Sequence, residues 1–215
     1  WAYSNGGEAL ALTDHGNMNG FSHQFLHWKK MKAEGKEFKP IFGVEAYFLP
    51  SIDEWREDYD RIKADAKLAK SLAKKGDTSG ATVEDEDASK KAIKSVINRR
   101  RHLVLLAKNQ AGLSNLFKLI SESYREENFY RYPRVDYKLL AKYSEGVIAS
   151  SACLGGPYAG NYWANREEGP EAVREAMRET TREFVKIFGD RWHGELQWNH
   201  IPEQHELNKF IIEMH

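Results

Sequence analysis

The sequence predicts an α/β fold in which short strands alternate with helices. Two observations predict this fold. Short apolar runs, the pattern of strands that are buried on both faces, recur along the chain. Segments with apolar residues at helical spacing follow most of these runs. Such alternation is typical of a parallel sheet with right-handed crossovers, either open or closed into a barrel.

The first half of the chain contains three predicted strands. The first is Ala9–Thr13, and the helix that follows it ends near Glu34. The second strand is Pro40–Phe48, a longer apolar run. The third is His102–Ala107, and it precedes a helix with its apolar residues between Leu113 and Ile120.

Two more strands are predicted in the second half. Gly146–Ser150 is the fourth, followed by a glycine turn and a helix from Pro170 to Phe188. Proline suits the start of that helix and Gly189 suits its end. His193–Trp198 is the fifth strand, and a last helix begins near Pro202.

Residues 51–101 interrupt this alternation with a segment rich in Lys, Asp, Glu and Ala. It contains a break at Gly76–Gly80, an acidic run at Glu84–Asp87 and two thin apolar stripes at helical spacing. We interpret it as a charged surface insert of one or two helices within a single partial domain that occupies residues 1–215. Three basic residues at Arg99–Arg101 are too few to predict a phosphate contact.

The composition excludes several classes of protein. The net charge is +0, so the whole chain shows no electrostatic sign of nucleic-acid binding. The sequence has no apolar stretch near the roughly 20 residues of a membrane span, and its single cysteine excludes an internal disulfide. We expect a cytoplasmic protein without a membrane partner. The start at Trp1 and the helical pattern at the end lead us to expect a fragment of a longer protein.

Four residues form a candidate metal site: His15, Glu45, His102 and Cys153. Imidazole, carboxylate and thiolate are the side chains that bind zinc and similar ions, and each of these residues lies in or beside a predicted strand. Singly, three of them have simpler explanations, as a helix cap, a structural histidine and a small buried thiol. Glu45 is the strongest candidate because a carboxylate inside an apolar strand needs a partner. Only the combination favours a metal centre.

Other candidates are weaker. His23 and His27 have the spacing of two ligands on one helix face, but they lack the acidic partner of a zinc protease motif. Glu195 and His200 flank the end of the last predicted strand, and we expect structural roles for both. Gly155–Gly156 is a turn without the Lys-Ser/Thr of a phosphate loop, and the sequence contains no nucleophile elbow.

Several segments of the chain resemble the PHP (polymerase and histidinol phosphatase) domain at the start of bacterial-type DNA polymerase III alpha subunits. Two polymerase-type stretches, in residues 132–156 and 195–204, make this resemblance more specific than a general PHP match. The segments that carry the resemblance are Ala9–Met18, Lys39–Glu45, His102–Asn109, Gly112–Ile120, Tyr132–Asp136, Gly146–Gly156, Glu195–Gln197 and Ile201–Gln204.

The resemblance implies a distorted seven-stranded β/α barrel, similar to a TIM barrel, of which this chain is a part. The first His-x-His motif and the last Asp-x-His motif of the family do not occur in the sequence. The resemblance also implies a cluster of up to three divalent ions, of zinc, manganese or iron. It places His15, Glu45, His102 and Cys153 at metal-ligand positions and implies no catalytic residue beyond them. We consider Asp14 a candidate for orienting another ligand.

The implied activity is metal-dependent hydrolysis of phosphodiester bonds, of the 3′–5′ exonuclease type, within a polymerase that makes DNA. The implied partners are DNA, through that polymerase, and other replisome subunits such as a proofreading exonuclease and the sliding clamp. Two alternatives stay open. One is a catalytically silent scaffold that stabilises the polymerase or docks the exonuclease. The other is a stand-alone PHP phosphatase that acts on a small phosphate ester.

Overall fold

The computed structural model describes residues 1–74 and 83–214, and it confirms the α/β class. The predicted break at Gly76–Gly80 lies outside these residues. The strands are β1 Ala9–His15, β2 Lys39–Phe48, β3 Arg101–Ala107, β4 Phe129–Tyr130, β5 Tyr132–Pro133, β6 Val147–Ser150 and β7 Trp192–His193. The helices are α1 Phe21–Ala33, α2 Ile52–Lys74, α3 Val83–Asn98, α4 Gln110–Ser123, α5 Tyr137–Lys142, α6 Pro157–Asn165, α7 Pro170–Phe188 and α8 Pro202–Glu213.

The main sheet is mixed, with the strand order β1-β2-β3-β6-β7. The outer pairs β1–β2 and β6–β7 are parallel, whereas β3 runs antiparallel to both of its neighbours. The prediction of a parallel sheet is therefore wrong. Phe48 at the end of β2 pairs with Arg101 at the start of β3, so these strands form a hairpin whose loop is residues 49–100. In the described residues β1 and β7 are the two edges of the sheet.

Strands β1, β2, β3 and β6 lie within two residues of their predicted bounds, but β7 is shorter than predicted. The fifth strand was expected to continue to Trp198, yet the backbone of that segment bonds to side chains instead of a neighbouring strand. The Glu195 amide donates to Ser151 Oγ, and Asn208 Nδ2 donates to the Gln197 carbonyl oxygen, each at 2.9 Å. Helices α5 and α6 were not predicted.

The two faces of the main sheet have different environments. Val44, Leu105 and Ala149, on neighbouring strands, are fully buried on the face that packs against helices. On this face Phe184 of α7 stacks on Trp192 of β7, with their ring centroids 4.1 Å apart. Because side chains alternate along a strand, the residues between these core positions lie on the opposite face. That second face carries the candidate ligands.

Leu49–Arg100 form a second compact unit, which contains α2 and α3. Trp55 of α2 is buried, and its Nε1 donates a hydrogen bond of 2.8 Å to the Val96 carbonyl oxygen of α3. Arg99, directly after α3, forms an ion pair with Asp58 in the first half of α2. The interpretation of residues 51–101 as a charged insert remains a prediction.

Replacing Trp55 with phenylalanine should weaken this helix pair. The side chain stays aromatic, but the Val96 carbonyl loses one of its two donors and keeps only the Arg99 amide, which costs about 0.5–1.5 kcal/mol. Hydrogen exchange of the amides in α2 and α3 measures this loss as a lower free energy of local opening. An unchanged exchange rate in these helices would contradict the expected role of the hydrogen bond.

Candidate metal centre

Three of the four predicted ligands lie on one face of the sheet because of strand register. His15 at the end of β1 pairs with Glu45 in β2. On the other side of β2, His102 of β3 pairs with Tyr47, two residues beyond Glu45. Since residues two apart on a strand share a face, all of these side chains project from the face opposite the core.

The donor atoms of the four residues lie close together. His102 Nδ1 is 2.7 Å from Glu45 Oε1 and 3.4 Å from Cys153 Sγ. His15 Nε2 is 3.4 Å from the other oxygen of Glu45, Oε2. One ligand atom each of Glu45, His102 and Cys153 lie within 4.8 Å of one another. Glu45, His102 and Cys153 therefore form one cluster, and His15 lies beside it through its contact with Glu45.

Cys153 reaches the cluster from a tight turn after β6. Ala152, just before it, has a left-handed backbone with φ of 54°, which is unfavourable for a residue with a side chain. The Gly155 amide donates to Cys153 Sγ at 3.3 Å, and its carbonyl accepts from the His102 amide at 2.9 Å. A Cβ on Gly155 would lie 3.2 Å from His102 Nδ1. The turn thus wraps closely around the His102 ring.

The cluster carries strong mutual electrostatic effects. Contacts with the Cys153 thiol and then with the Glu45 carboxylate raise the pKa of His102 to about 9. The same contact with His102 lowers the pKa of Cys153 and that of Glu45, although burial opposes both shifts. In the metal-free protein at neutral pH, His102 therefore holds a proton that an incoming metal ion must displace.

The residues fit a divalent ion. Glu45 Oε1 is buried and, among the described residues, has no aligned hydrogen-bond partner despite its short distance to His102. Bonds of the usual zinc lengths place tetrahedral ligand atoms about 3.3 to 3.7 Å apart. The His102–Cys153 and His15–Glu45 separations of 3.4 Å match this range, whereas the 2.7 Å between His102 Nδ1 and Glu45 Oε1 is the shorter distance of a direct contact. Two imidazoles, a carboxylate and a thiolate form a donor set typical of zinc. His15 is the exposed member, with 61% of its side chain accessible.

A sequence profile described as PHP domain matches residues 1–198 of the chain. The chain belongs to the PHP domain family.

Relatives of this PHP domain include several proteins named DNA polymerase III subunit alpha. The protein from Aquifex aeolicus is 38% identical over 209 residues, which cover 97% of this chain. The one from Borreliella burgdorferi is 36% identical over 94% of the chain, and that from Treponema pallidum is 33% identical over 99%. The chain spans only 14% of the length of each of these three relatives.

Asp14 of this PHP domain faces away from the ligands. Its Oδ2 accepts a hydrogen bond of 2.6 Å from the Gly20 amide at the start of α1. A Cβ on Gly20 would meet this oxygen and the side chain of Leu12, on the helix-facing side of β1. The observed contact is thus with a helix start, and a role of Asp14 in orienting a ligand stays a prediction.

The weaker candidates do not join the cluster. His23 and His27 are exposed on α1, as expected for surface residues, and His200 is exposed as well. Glu195 is half-buried, where its carboxylate accepts hydrogen bonds from Ser150 Oγ at 2.5 Å and from Gln197 Nε2 at 2.9 Å. These bonds hold the loop after β7, which is the structural role that we expected for Glu195.

Sequence reasoning missed one side chain of the site. Tyr47 lies beside both histidines, with its ring centroid 6.4 Å from that of His15 and 5.9 Å from that of His102. Its position two residues after Glu45 on the same strand was the available signal, because that spacing puts both side chains on one face.

In the described residues no helix of the PHP domain is long and apolar enough to cross a membrane.

Proposed function

We propose that the chain is the PHP segment of a bacterial-type DNA polymerase III alpha subunit, and that this segment hydrolyses phosphodiester bonds with bound divalent ions. The observation that carries the proposal is the convergence of His15, Glu45, His102 and Cys153 on one sheet face. The names of the relatives support the polymerase as the whole protein. In this proposal the sheet is part of a seven-stranded barrel.

The chain's own residues bind and orient the ions. Glu45 has one carboxylate oxygen near His15 and the other near His102, so either oxygen could serve as a ligand together with the neighbouring histidine. Cys153 supplies a soft thiolate, which favours zinc or iron over manganese. When bound, the ions would lower the pKa of a water molecule and polarise the phosphate. His15 is the most exposed of the four residues, so in this proposal it is the one that a substrate phosphate from solvent can reach most easily.

The substrate of this proposed activity is a DNA end, as a 3′–5′ exonuclease site requires. The proposed partners are DNA and, in the replisome, a proofreading exonuclease and the sliding clamp, and the proposed location is the cytoplasm. A scaffold without activity has no need of a complete donor set. Metal occupancy of the full-length gene product, measured together with hydrolysis, separates the two functions.

The test is a nuclease assay on the full-length gene product. The protein is stripped with a chelator, reloaded with zinc, manganese or iron, and incubated with DNA labelled at its 5′ end. We expect metal-dependent shortening from the 3′ end, which the substitution Glu45→Gln removes. Glu34→Gln, an exposed carboxylate at the end of α1, is the matched control and should keep full activity.

A contaminating exonuclease would be equally active in both variant preparations, so the difference between them identifies the site. Hydrogen exchange of the β2 and β3 amides, measured in parallel, shows whether this segment of each variant is folded. Equal shortening by the wild type and Glu45→Gln, or stoichiometric metal without any hydrolysis, would refute the proposed hydrolase and leave the scaffold.

A further inference from the structure

Tyr47 packs against two ligands of the candidate site at once. Its ring meets that of His15 edge to face, at an interplanar angle of 83°, and is tilted by 51° to that of His102. Both centroid distances, 6.4 and 5.9 Å, are within the range of favourable aromatic pairs. The two imidazole rings are themselves 5.6 Å apart. The three rings therefore form a triangle beside the Glu45 carboxylate.

The Tyr47 ring is held in place from behind. Tyr132 of β5 packs against it edge to face, with centroids 5.7 Å apart and an angle of 79°. Gly16, directly after His15, has a φ of 68°, and a Cβ on it would lie 2.9 Å from Tyr47 Cε2 and 3.0 Å from Pro133 Cγ. The backbone at Gly16 thus closes over the ring, which leaves Tyr47 little freedom to rotate.

We infer that Tyr47 is a positioning residue whose ring holds the His15 and His102 imidazoles in the orientation that binds metal. This inference rests on the proposed metal site and adds a residue to it. His15 needs such support because it is largely exposed and stands at the end of an edge strand. An imidazole that rotates freely would lose rotamer entropy when it binds an ion, which weakens binding. A ring that is already fixed by its neighbours does not pay this entropy cost on binding.

The aromatic ring is the essential part of this role, so its variants differ in a defined way. Tyr47→Phe keeps the ring and should keep metal affinity. Tyr47→Leu removes the ring and should weaken metal binding by about 10- to 100-fold, as loss of ligand orientation typically does. Gly16→Ala should act like Tyr47→Leu, because its methyl group displaces the Tyr47 ring.

The experiment titrates the chelator-treated, full-length gene product with Co²⁺. The thiolate-to-cobalt absorption band is read as the difference from the same protein with Cys153→Ala. Tyr137→Leu is the control: Tyr137 packs on Phe48 and Phe184 on the core face, so its loss should lower stability and leave the cobalt affinity unchanged. Equal affinities of the wild type and Tyr47→Leu would overturn the inference.

A structure of the metal-free Tyr47→Leu protein provides a second readout that needs no metal. We expect the His15 and His102 rings to adopt rotamers other than those of the wild type, and unchanged rings would overturn the inference. If the wild type binds no cobalt while the rings still rotate in the variant, the positioning role stands and the proposed metal function fails. The two failures are therefore distinguishable.

Discussion

Replacing Cys153 with alanine is expected to remove most of the stability that a bound ion gives to the site. An ion at about 100 times its dissociation constant stabilises the protein by about 2.7 kcal/mol. If loss of the thiolate weakens binding by about 100-fold, the same ion concentration contributes only about 0.4 kcal/mol. Cys153 is the single cysteine of the chain, so the substitution removes its only thiol ligand.

Hydrogen exchange of the β2 and β3 amides, with and without added Zn²⁺, measures this stabilisation locally. Leu154→Ala is a matched control in the same turn, since its side chain carries no ligand atom. It should shift the opening free energy equally with and without zinc. A zinc-dependent protection in Cys153→Ala as large as that of the wild type would show that the thiolate is not a ligand.

Replacing Gly112 with alanine is expected to destabilise the fold by at least about 3 kcal/mol. A Cβ at this position in α4 would lie 1.8 Å from the Gly146 carbonyl oxygen, far inside the 3.0 Å limit of real Cβ contacts. The atom that it meets is backbone, and this oxygen also accepts a hydrogen bond from the Lys108 amide. The Gly112 amide is itself bonded to Asn109 Oδ1, the cap of α4.

The start of α4 and the chain before β6 must therefore separate in this variant. Gly160→Ala in α6 is the control, because the three atoms nearest to its new methyl group belong to the guanidinium group of Arg101, which can move more easily than backbone. Alanine also favours a helix by about 1 kcal/mol over glycine, so this control should be close to neutral. Chemical denaturation measures the free energy of unfolding of both variants, and hydrogen exchange of the β6 amides measures the local effect. Similar values for the two variants would rule out backbone crowding as the cause.

The sequence predicted the position of most strands because an apolar run is a strong local signal. It did not predict the direction of β3, because an apolar run does not indicate in which direction the strand runs in the sheet. That direction depends on the connection between the strands. The prediction that the last strand continues to Trp198 was wrong for a different reason. The segment from Gly194 to Trp198 has a strand-like pattern, but Ser151 and Asn208 take the hydrogen bonds that a neighbouring strand would otherwise make.

The candidate ligands were predictable because each has an unusual context, above all Glu45 within an apolar strand. The distances between them could not be predicted, because these distances depend on strand register and on the turn at Ala152, which local sequence patterns do not encode. Tyr47 was missed because an aromatic residue is ordinary in a strand. Its position beside two imidazoles follows only from pairing across β2 and β3.

The pairing of Phe48 with Arg101 has a consequence for how the chain tolerates change. The hairpin of β2 and β3 is closed by a loop of 49–100, which is long for a hairpin. Leu49–Arg100 form a compact unit with buried residues of their own, so this connection is folded and is not a flexible loop. The pairing of β2 with β3 fixes the positions of Glu45 and His102 relative to each other. Sequence changes on the surface of that unit can therefore accumulate while the candidate metal ligands keep their positions.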